Sequence, residues 1–440
     1  MHFIPTTPEE ESQLLKGAGV SDYSELIDII PQQLRLKENL GIGEPLTEME
    51  IERELQKLSN LNKDNKYCFS GGGIYDHFIP KTVDFISGRS EYYTSYTPYQ
   101  AEVSQGTLQY LYEFQSMICE ISGMDIANAS LYDGASAIAE ACLLAHSVNR
   151  NNIILISESI HPHYIQVLKS YLTGQNMDII QLPENNGITD LNTLESHTEN
   201  IAAVIIQSPN KNGLIEDWMK CKRKMLDANS LLIAVSYPFA LAILNPPGNC
   251  GADIFVGEGQ SLGNPMNYGG PLLGLMAVKE KYKRRIPGRI IGKTVDKNNR
   301  EGFVLTLQTR EQHIRREKAT SNICTNQGLL ALRATIYLSL MGAKGLPYIA
   351  TICHQKAKYT AEGICELENY SLAYSNEYFM EFVIKTTHSA TAVVKFCATK
   401  DVTITKLNSD SSDSLLLIAV TERRTINDIH FLIKCLKDFS

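Results

Sequence analysis

The hydrophobic pattern changes character twice along the chain. Up to about residue 65 the chain is polar and its apolar positions suit short helices. Thr47 and Glu50 carry the signature of a capping box, and Leu46 and Ile51 that of a hydrophobic staple. A helix is therefore expected to follow through Leu58. Between 107 and 121, Leu108, Leu111, Tyr112, Ile118 and Ile121 recur at helical spacing, and Gly123 stands where a left-handed cap would end that helix. From about 125 onward, short apolar runs at 153–156, 178–182, 202–206, 231–235, 253–256 and 272–278 alternate with helix-compatible stretches at 135–146, 164–172 and 218–226. That alternation predicts βαβ units. The unbroken apolar runs predict a mostly parallel sheet buried on both faces. Beyond 325 a long helical stretch through 365 precedes strand candidates at 379–384, 392–397, 402–407 and 415–420, and Thr425 with Asp428 caps a last helix. The expected organisation is an N-terminal helical segment (1–65), a large α/β domain (66–325) and a smaller C-terminal α+β domain (326–440).

Composition narrows the partners. A chain of 440 residues can hide roughly three quarters of its unfolded surface, so it needs no staples. The 41 Lys+Arg against 49 Asp+Glu leave a net charge of -8, which is mild and gives no footprint for nucleic acid. The basic cluster at 279–289 (KEKYKRRIPGR) reads as a solvated helix end. The ten cysteines are scattered with no C-x-x-C pair, so no zinc ribbon or other metal centre is expected, and reduced thiols in the cytoplasm are. The first residues show no basic stretch followed by an apolar one. The longest apolar stretch, 231–244, is interrupted by Ser236, Tyr237 and Pro238. Neither a secretory signal nor a membrane span is expected.

Five segments invite a chemical reading. Gly71, Gly72 and Gly73 permit positive φ or close backbone approach, for a turn or a ligand. Residues 92–106 (YYTSYTPYQAEVSQG) hold four tyrosines on a stretch too irregular for a strand. They read as a packed arm at a subunit interface, as a wall of an active site, or as both. Residues 257–263 (GEGQSLG) follow a strand, but the glycine spacing is one residue too long for a dinucleotide site and no helix can open after it. Asp133-Gly134-Ala135-Ser136 opens a helix. Its backbone N–H groups could hold an anion, but an acidic cap would repel a phosphate, so plain capping by Asp133 is the reading adopted. Residues 308–322 (QTREQHIRREKATSN) read either as a solvated charged loop or as an anchor for a carboxylate, a phosphate or an acidic partner.

The strings at 70–80 (SGGGIYDHFIP), 93–105 (YTSYTPYQAEVSQ), 123–130 (GMDIANAS), 257–263, 286–292 (IPGRIIG) and 307–324 (LQTREQHIRREKATSNIC), with Gly269-Gly270-Pro271, together resemble one family. It is the α subunit, or subunit 1, of split bacterial glycine decarboxylase, the P-protein of the glycine cleavage system. The resemblance runs nearly end to end and includes residues 1–5 and the region of Pro31. It implies an α/β architecture of the fold type I, pyridoxal-phosphate-dependent transferase-like kind, in line with the βα reading. It also implies decarboxylation of glycine, with transfer of the aminomethyl group to the lipoyl arm of H-protein. Pyridoxal phosphate is then expected in the complex, on a β subunit (subunit 2) that carries the cofactor lysine.

In that fold an acid for the pyridine nitrogen ends one central strand, and the lysine follows the next. Here the strand at 231–235 runs into Ser236, and the loop after 253–256 offers Gln260. No lysine lies between Lys224 and Lys279, and no aspartate between Asp227 and Asp253. Ser236 is thus expected in place of the acid and Gln260 in place of the lysine, with no catalytic residue on this chain alone. Tyr93, Tyr96, Thr97, Tyr99 and Gln100 are expected to wall a small amino-acid pocket shared with the β subunit. Arg310, His313, Arg315, Arg316 and Lys318 are expected to anchor a carboxylate, a phosphate or the H-protein surface. The alternative is a non-catalytic scaffold or regulator related to pyridoxal-phosphate enzymes.

Overall fold

Runs of Ile, Leu and Val without polar interruption become the central sheet. In the computed structural model, which describes residues 6–37, 40–62, 66–407 and 413–439, seven strands form it. Residues 1–5, part of the resemblance, lie outside the described residues. The strands are β1 (Ile126–Ala127), β2 (Ile153–Ser157), β3 (Asp178–Leu182), β4 (Ile201–Gln207), β5 (Leu231–Ser236), β6 (Ile254–Glu258) and β7 (Gly274–Val278). Their order is β1-β7-β6-β5-β4-β2-β3. The five from β3 to β6 are parallel, while β7 and β1 add antiparallel at one edge. Strands β5 and β6 are buried along their whole length. Successive side chains feed opposite faces: Leu232, Ala234 and Phe255 enter one core cluster, and Ile233, Val235 and Val256 the other.

The chain divides into two units, Met1–Asp64 and Asn65–Ser440. The first holds α1 (Pro8–Gly17) and α2 (Glu48–Ser59), each opened by a capping box, Thr7 with Glu10 and Thr47 with Glu50. Neither helix buries a residue. In the second unit, α3 (Lys81–Ser87) and α4 (Gln105–Ser122) precede the sheet, and α4 ends at Gly123 with φ 66°. Then come α5 (Gly134–Asn149), α6 (Pro162–Leu172) and α7 (Trp218–Lys224) between the strands. A hairpin, β8 (Ile290–Val295) with β9 (Glu301–Thr306), was not evident in the apolar pattern, because its outer residues are exposed and polar.

Helix α8 (Gly328–Cys365) is long and apolar enough to cross a membrane. It breaks at Gly342, where φ is 58°. Leu332, Tyr337 and Ala350 pack into the core of the large sheet, and Ala357 and Ile364 into the core of the last one. Burial in two cores makes it a core helix.

The last sheet joins β10 (Tyr370–Leu372), β11 (Glu381–Thr386), β12 (Thr405–Lys406) and β13 (Leu415–Ala419) in the order β10-β11-β13-β12, all antiparallel. Helices α9 (Ala390–Thr399) and α10 (Ile426–Asp438) cover it, α10 opened by the Thr425–Asp428 capping box. Two expectations are corrected here. The run at 392–397, expected as a strand, is the body of α9. The Ser389 hydroxyl accepts from the Ala392 N–H at 3.2 Å, and Val393 and Cys397, four apart, share the buried face. Capping and packing override the valines' strand preference, the usual ambiguity of a short apolar run. The stretch 402–407 serves two sheets. Val402–Thr403 pairs in parallel with Tyr67–Cys68, and only Thr405–Lys406 joins β13.

Candidate functional site at the sheet's carboxyl ends and its rim

In a parallel sheet, ligands gather at the carboxyl ends of the central strands. Here those ends belong to β5 and β6. Ser236 closes β5, and its Oγ donates to the Ser208 carbonyl at 2.5 Å. Gln260 lies two residues beyond β6. Its Oε1 accepts from the Tyr75 N–H at 3.1 Å, and its Nε2 donates to the Asn264 carbonyl at 2.7 Å. The amide therefore ties the glycine loop to the segment after β6.

Between them sits Glu258, the last residue of β6. Its Oε2 accepts from the N–H of Gly134, the first residue of α5, at 2.9 Å. Its Oε1 accepts from the N–H groups of Gln260 and Leu273, each at 2.9 Å. A helix N-terminus carries partial positive charge and free N–H groups, the natural seat of an anion. Here the chain's own carboxylate occupies that seat. Asp133 caps the helix as expected, its Oδ1 accepting from the Ser136 N–H at 2.6 Å. Burial pushes the Glu258 carboxyl up to about 7, and the three N–H donors pull the other way.

The space left is small. Tyr75, Tyr164, Gln207, Ser236, Glu258 and Glu381 line a cavity of about 30 Å³, near the share of one water in the liquid. Small-molecule sites run to about 300 Å³ or more. Pyridoxal phosphate does not fit these residues: Glu258 fills the helix N-terminus open to an anion, and the segment after β6 offers Gln260 and no lysine.

A second buried layer supports this plug. The Tyr75 hydroxyl donates to Glu381 Oε2 at 2.9 Å, and the Gly72 N–H donates to Glu381 Oε1 at 2.6 Å. A Cβ on Gly71 would lie 1.8 Å from Glu381 Oε1, and Gly72 has φ 93°. The expected close approach is thus to a glutamate. Burial raises the Glu381 carboxyl to about 7. Beside the loop, burial lowers His161 to about 4, so its ring is neutral at pH 7. His77 stacks on Phe239 with ring centroids 4.3 Å apart, meets the Tyr237 hydroxyl through Nε2 and Glu422 Oε2 through Nδ1 at 2.6 Å. The Cys353 thiol donates to the same carboxylate oxygen at 3.4 Å. The ligand-type atoms of His77, Cys353 and Glu422 lie within 4.8 Å of one another. The 2.6 Å contact is nevertheless a hydrogen bond, because two ligands of one zinc ion sit about 3.3 Å apart.

The remaining expected residues lie on two segments, 93–100 and 310–318. Tyr93, Tyr96 and Tyr99 are 57%, 87% and 53% exposed. Thr97 is half-buried and Gln100 is exposed. The structure brings Tyr99 against His313, edge to face at 5.6 Å. Arg315, Arg316 and Lys318 are exposed, and among the described residues no carboxylate pairs with them. Arg310 turns inward instead. Its Nη1 donates to the Ile286 carbonyl and its Nη2 to the Gly288 carbonyl at 2.6 Å, and burial lowers its pKa to about 10. Its guanidinium clamps the chain at 286–288, while its Nε has no partner and the side chain lines a small cavity with Thr320 and Ser321.

Arg289 corrects the reading of 279–289 as a solvated helix end. It is 3% exposed. Its Nη1 donates to Thr325 Oγ1 and Asn326 Oδ1, and its Nη2 to the Cys324 carbonyl and Thr97 Oγ1. The signal available in the sequence was its setting: an arginine directly before the apolar pair Ile290-Ile291 is not at a helix end. Glu258, inside the string at 257–263, and Glu381, on a strand face, carried no such local signal.

Relatives place this geometry. The sequence profile of the family described as "Glycine cleavage system P-protein" matches residues 1–436. A protein of Desulforamulus reducens named probable glycine dehydrogenase (decarboxylating) subunit 1 is 50% identical over 389 residues, 88% of this chain and 87% of that protein. One of the same name from Prosthecochloris aestuarii is 48% identical over 429 residues, 97% of each chain. A crystal structure of glycine decarboxylase (P-protein) of the glycine cleavage system, in inhibitor-bound form, superposes with a TM-score of 0.94 at 38% identity, covering all of both chains. Glutamate decarboxylase of Lactobacillus brevis shares the fold alone, with a TM-score of 0.70 at 12% identity over 95% of this chain and 96% of that one. The chain has fold type I architecture and belongs to the glycine cleavage system P-protein family, on the branch whose members are named subunit 1.

Proposed function

We propose that this chain is the α subunit of a two-subunit glycine decarboxylase and supplies structure and an active-site rim, while the β subunit holds pyridoxal phosphate on its own lysine. One observation carries the reading. The side chains of Ser236, Glu258 and Gln260 at the sheet ends hydrogen-bond to the chain's own backbone beside a cavity of only about 30 Å³, and no lysine lies between Lys224 and Lys279. A chain of a decarboxylase family without a cofactor seat acts through a partner that has one.

The rim is this chain's contribution to the reaction. Tyr93, Tyr96 and Tyr99 present large exposed rings, and Tyr99 meets His313 on the segment that carries the exposed cations of Arg315, Arg316 and Lys318. Docked against the β subunit, the rings exclude water from the reacting glycine, and the cations attract its carboxylate or the acidic surface of lipoylated H-protein. When bound on the β subunit, pyridoxal phosphate supplies the electron sink for loss of CO₂. All ten cysteines are free thiols, which supports a reducing, cytoplasmic setting.

The test is borohydride reduction followed by intact mass, on the chain alone and on the chain purified with its β subunit. The expected result is a colourless, unmodified chain alone, and a yellow complex labelled only on the β subunit. A pyridoxyl label on this chain would overturn the proposal.

A further inference from the structure

Arg289 is an arginine in the core. Among the described residues no carboxylate lies in salt-bridge range of it, and the buried Glu311 carboxylate acts on it from beyond that range. Burying a charge without a close partner is costly, so its retention calls for a reason. The reason lies in what its fork joins. One nitrogen reaches Thr325 Oγ1 at 3.0 Å and Asn326 Oδ1 at 2.8 Å. The other reaches the Cys324 carbonyl at 3.1 Å and Thr97 Oγ1 at 3.3 Å. The guanidinium carbon also lies 5.7 Å from the centre of the Tyr99 ring. The circuit closes on the core. Asn326 Nδ2 donates to the Ala129 carbonyl at 2.9 Å, and the Ala129 N–H donates to the Arg289 carbonyl at 2.8 Å, with Ala129 fully buried.

We infer that Arg289 is a positioning residue for glycine decarboxylation, locking the tyrosine segment at 97–99 and the turn at 324–326 into one face registered to the sheet. The inference rests on the proposed role of this chain as the rim-bearing subunit. A planar fork with five N–H donors spans both segments at once. A lysine ammonium at the same place reaches one of them. Tyr93 to Tyr96, Tyr99 and Gln100 are exposed and Pro98 is buried, so without Arg289 the segment loses its polar tether to the core and keeps only apolar packing at Pro98 and Ala101.

The test uses the full chain, alone and with its β subunit. In the complex, Arg289→Met is expected to lower kcat for glycine decarboxylation roughly ten- to hundredfold, the scale of a misplaced reacting geometry. The affinity of the two subunits for each other is expected to stay unchanged. Arg289→Lys, which keeps the charge, is expected not to restore the rate. Thr97→Val, combined with Arg289→Met, is expected to add nothing to the loss from Arg289→Met alone. In the chain alone, hydrogen exchange at 97–103 and 324–326 is expected to quicken in Arg289→Met, with 231–236 unchanged.

Wild-type kcat in Arg289→Met, full rescue by Arg289→Lys, additive effects with Thr97→Val, or unchanged exchange at 97–103 would each overturn the inference. If Arg289→Met does not fold, Arg289→Lys carries the rate and exchange tests. An inactive wild-type complex would sink the proposed function, and the exchange experiment would still judge the tether.

Discussion

Replacing Glu258 by alanine opens the seat that the chain keeps closed. The substitution removes the acceptor for three backbone N–H groups, those of Gly134, Gln260 and Leu273. All three face a site where the carboxylate is almost fully buried. Each orphaned buried donor costs about 1–3 kcal/mol, so a loss of at least about 3 kcal/mol is expected even after water enters. The vacated volume now adjoins the N-terminus of a sixteen-residue helix, where inorganic phosphate can take the empty place. Urea unfolding is the assay, run with phosphate and with chloride at matched ionic strength. Phosphate stabilises most proteins by exclusion from their surface, so the readout is the extra gain of Glu258→Ala over wild type. The variant is expected to recover part of its lost stability in phosphate, and wild type to show only the general effect. A loss below about 1 kcal/mol, or an equal phosphate gain in both proteins, would refute the idea of an anion seat filled from within.

Three further predictions follow from the same geometry. Glu381 is held near pKa 7, well above an unfolded glutamate, so the folded state binds more protons than the unfolded one between about pH 4.5 and 7, and stability from this group is lost as pH rises through that window. Glu381→Gln keeps the shape without the charge, so the stability difference should shift in the variant's favour by roughly 1 kcal/mol per pH unit from pH 5 to 7; urea midpoints at three pH values check this, and a flat difference contradicts it. Gly71→Ala drives a Cβ to within 1.8 Å of Glu381 Oε1 and should cost at least about 1–3 kcal/mol, whereas Gly106→Ala in α4, with nothing within 4 Å of its Cβ, should be neutral or gain up to about 1 kcal/mol; equal melting temperatures for the two would contradict the packing. In the assembled complex, Tyr96→Phe and Arg315→Ala should each lower glycine turnover without loss of assembly, and wild-type rates in both would remove the rim from the active site.

Much of the scaffold was legible because its causes are local. Capping boxes at Thr47–Glu50 and Thr425–Asp428, the left-handed stop at Gly123 and the apolar runs of β2 to β6 each depend on residues within a few positions of one another. The stretch 392–397 failed as a strand for the opposite reason. Its valines suit either state, and the packing of α9 on the last sheet chose between them. The buried and rim halves of the site differed in the same way. The end of β5 at Ser236 and the end of β6 two residues before Gln260 followed from counting along consecutive strands. Arg289, read as part of a solvated helix end, and Arg310, read as an anion anchor or part of a charged loop, turn toward backbone carbonyls from 324 and from 286 and 288.

The sequence by itself determined that no lysine lies between Lys224 and Lys279 and no aspartate between Asp227 and Asp253, because that absence holds over a whole stretch and no shift of register repairs it. It also determined the βα scaffold, because strand and helix periods are written in adjacent residues. Only the tertiary structure decided what Glu258 and Arg289 meet. Glu258 meets a helix N-terminus 124 positions away, and Arg289 meets Thr97 across 192. Contacts at such separation leave no trace in local periodicity. They arise when the sheet brings distant backbone N–H and C=O groups together in a dry interior, where an unsatisfied polar group is costly and the side chain able to satisfy it is drawn in.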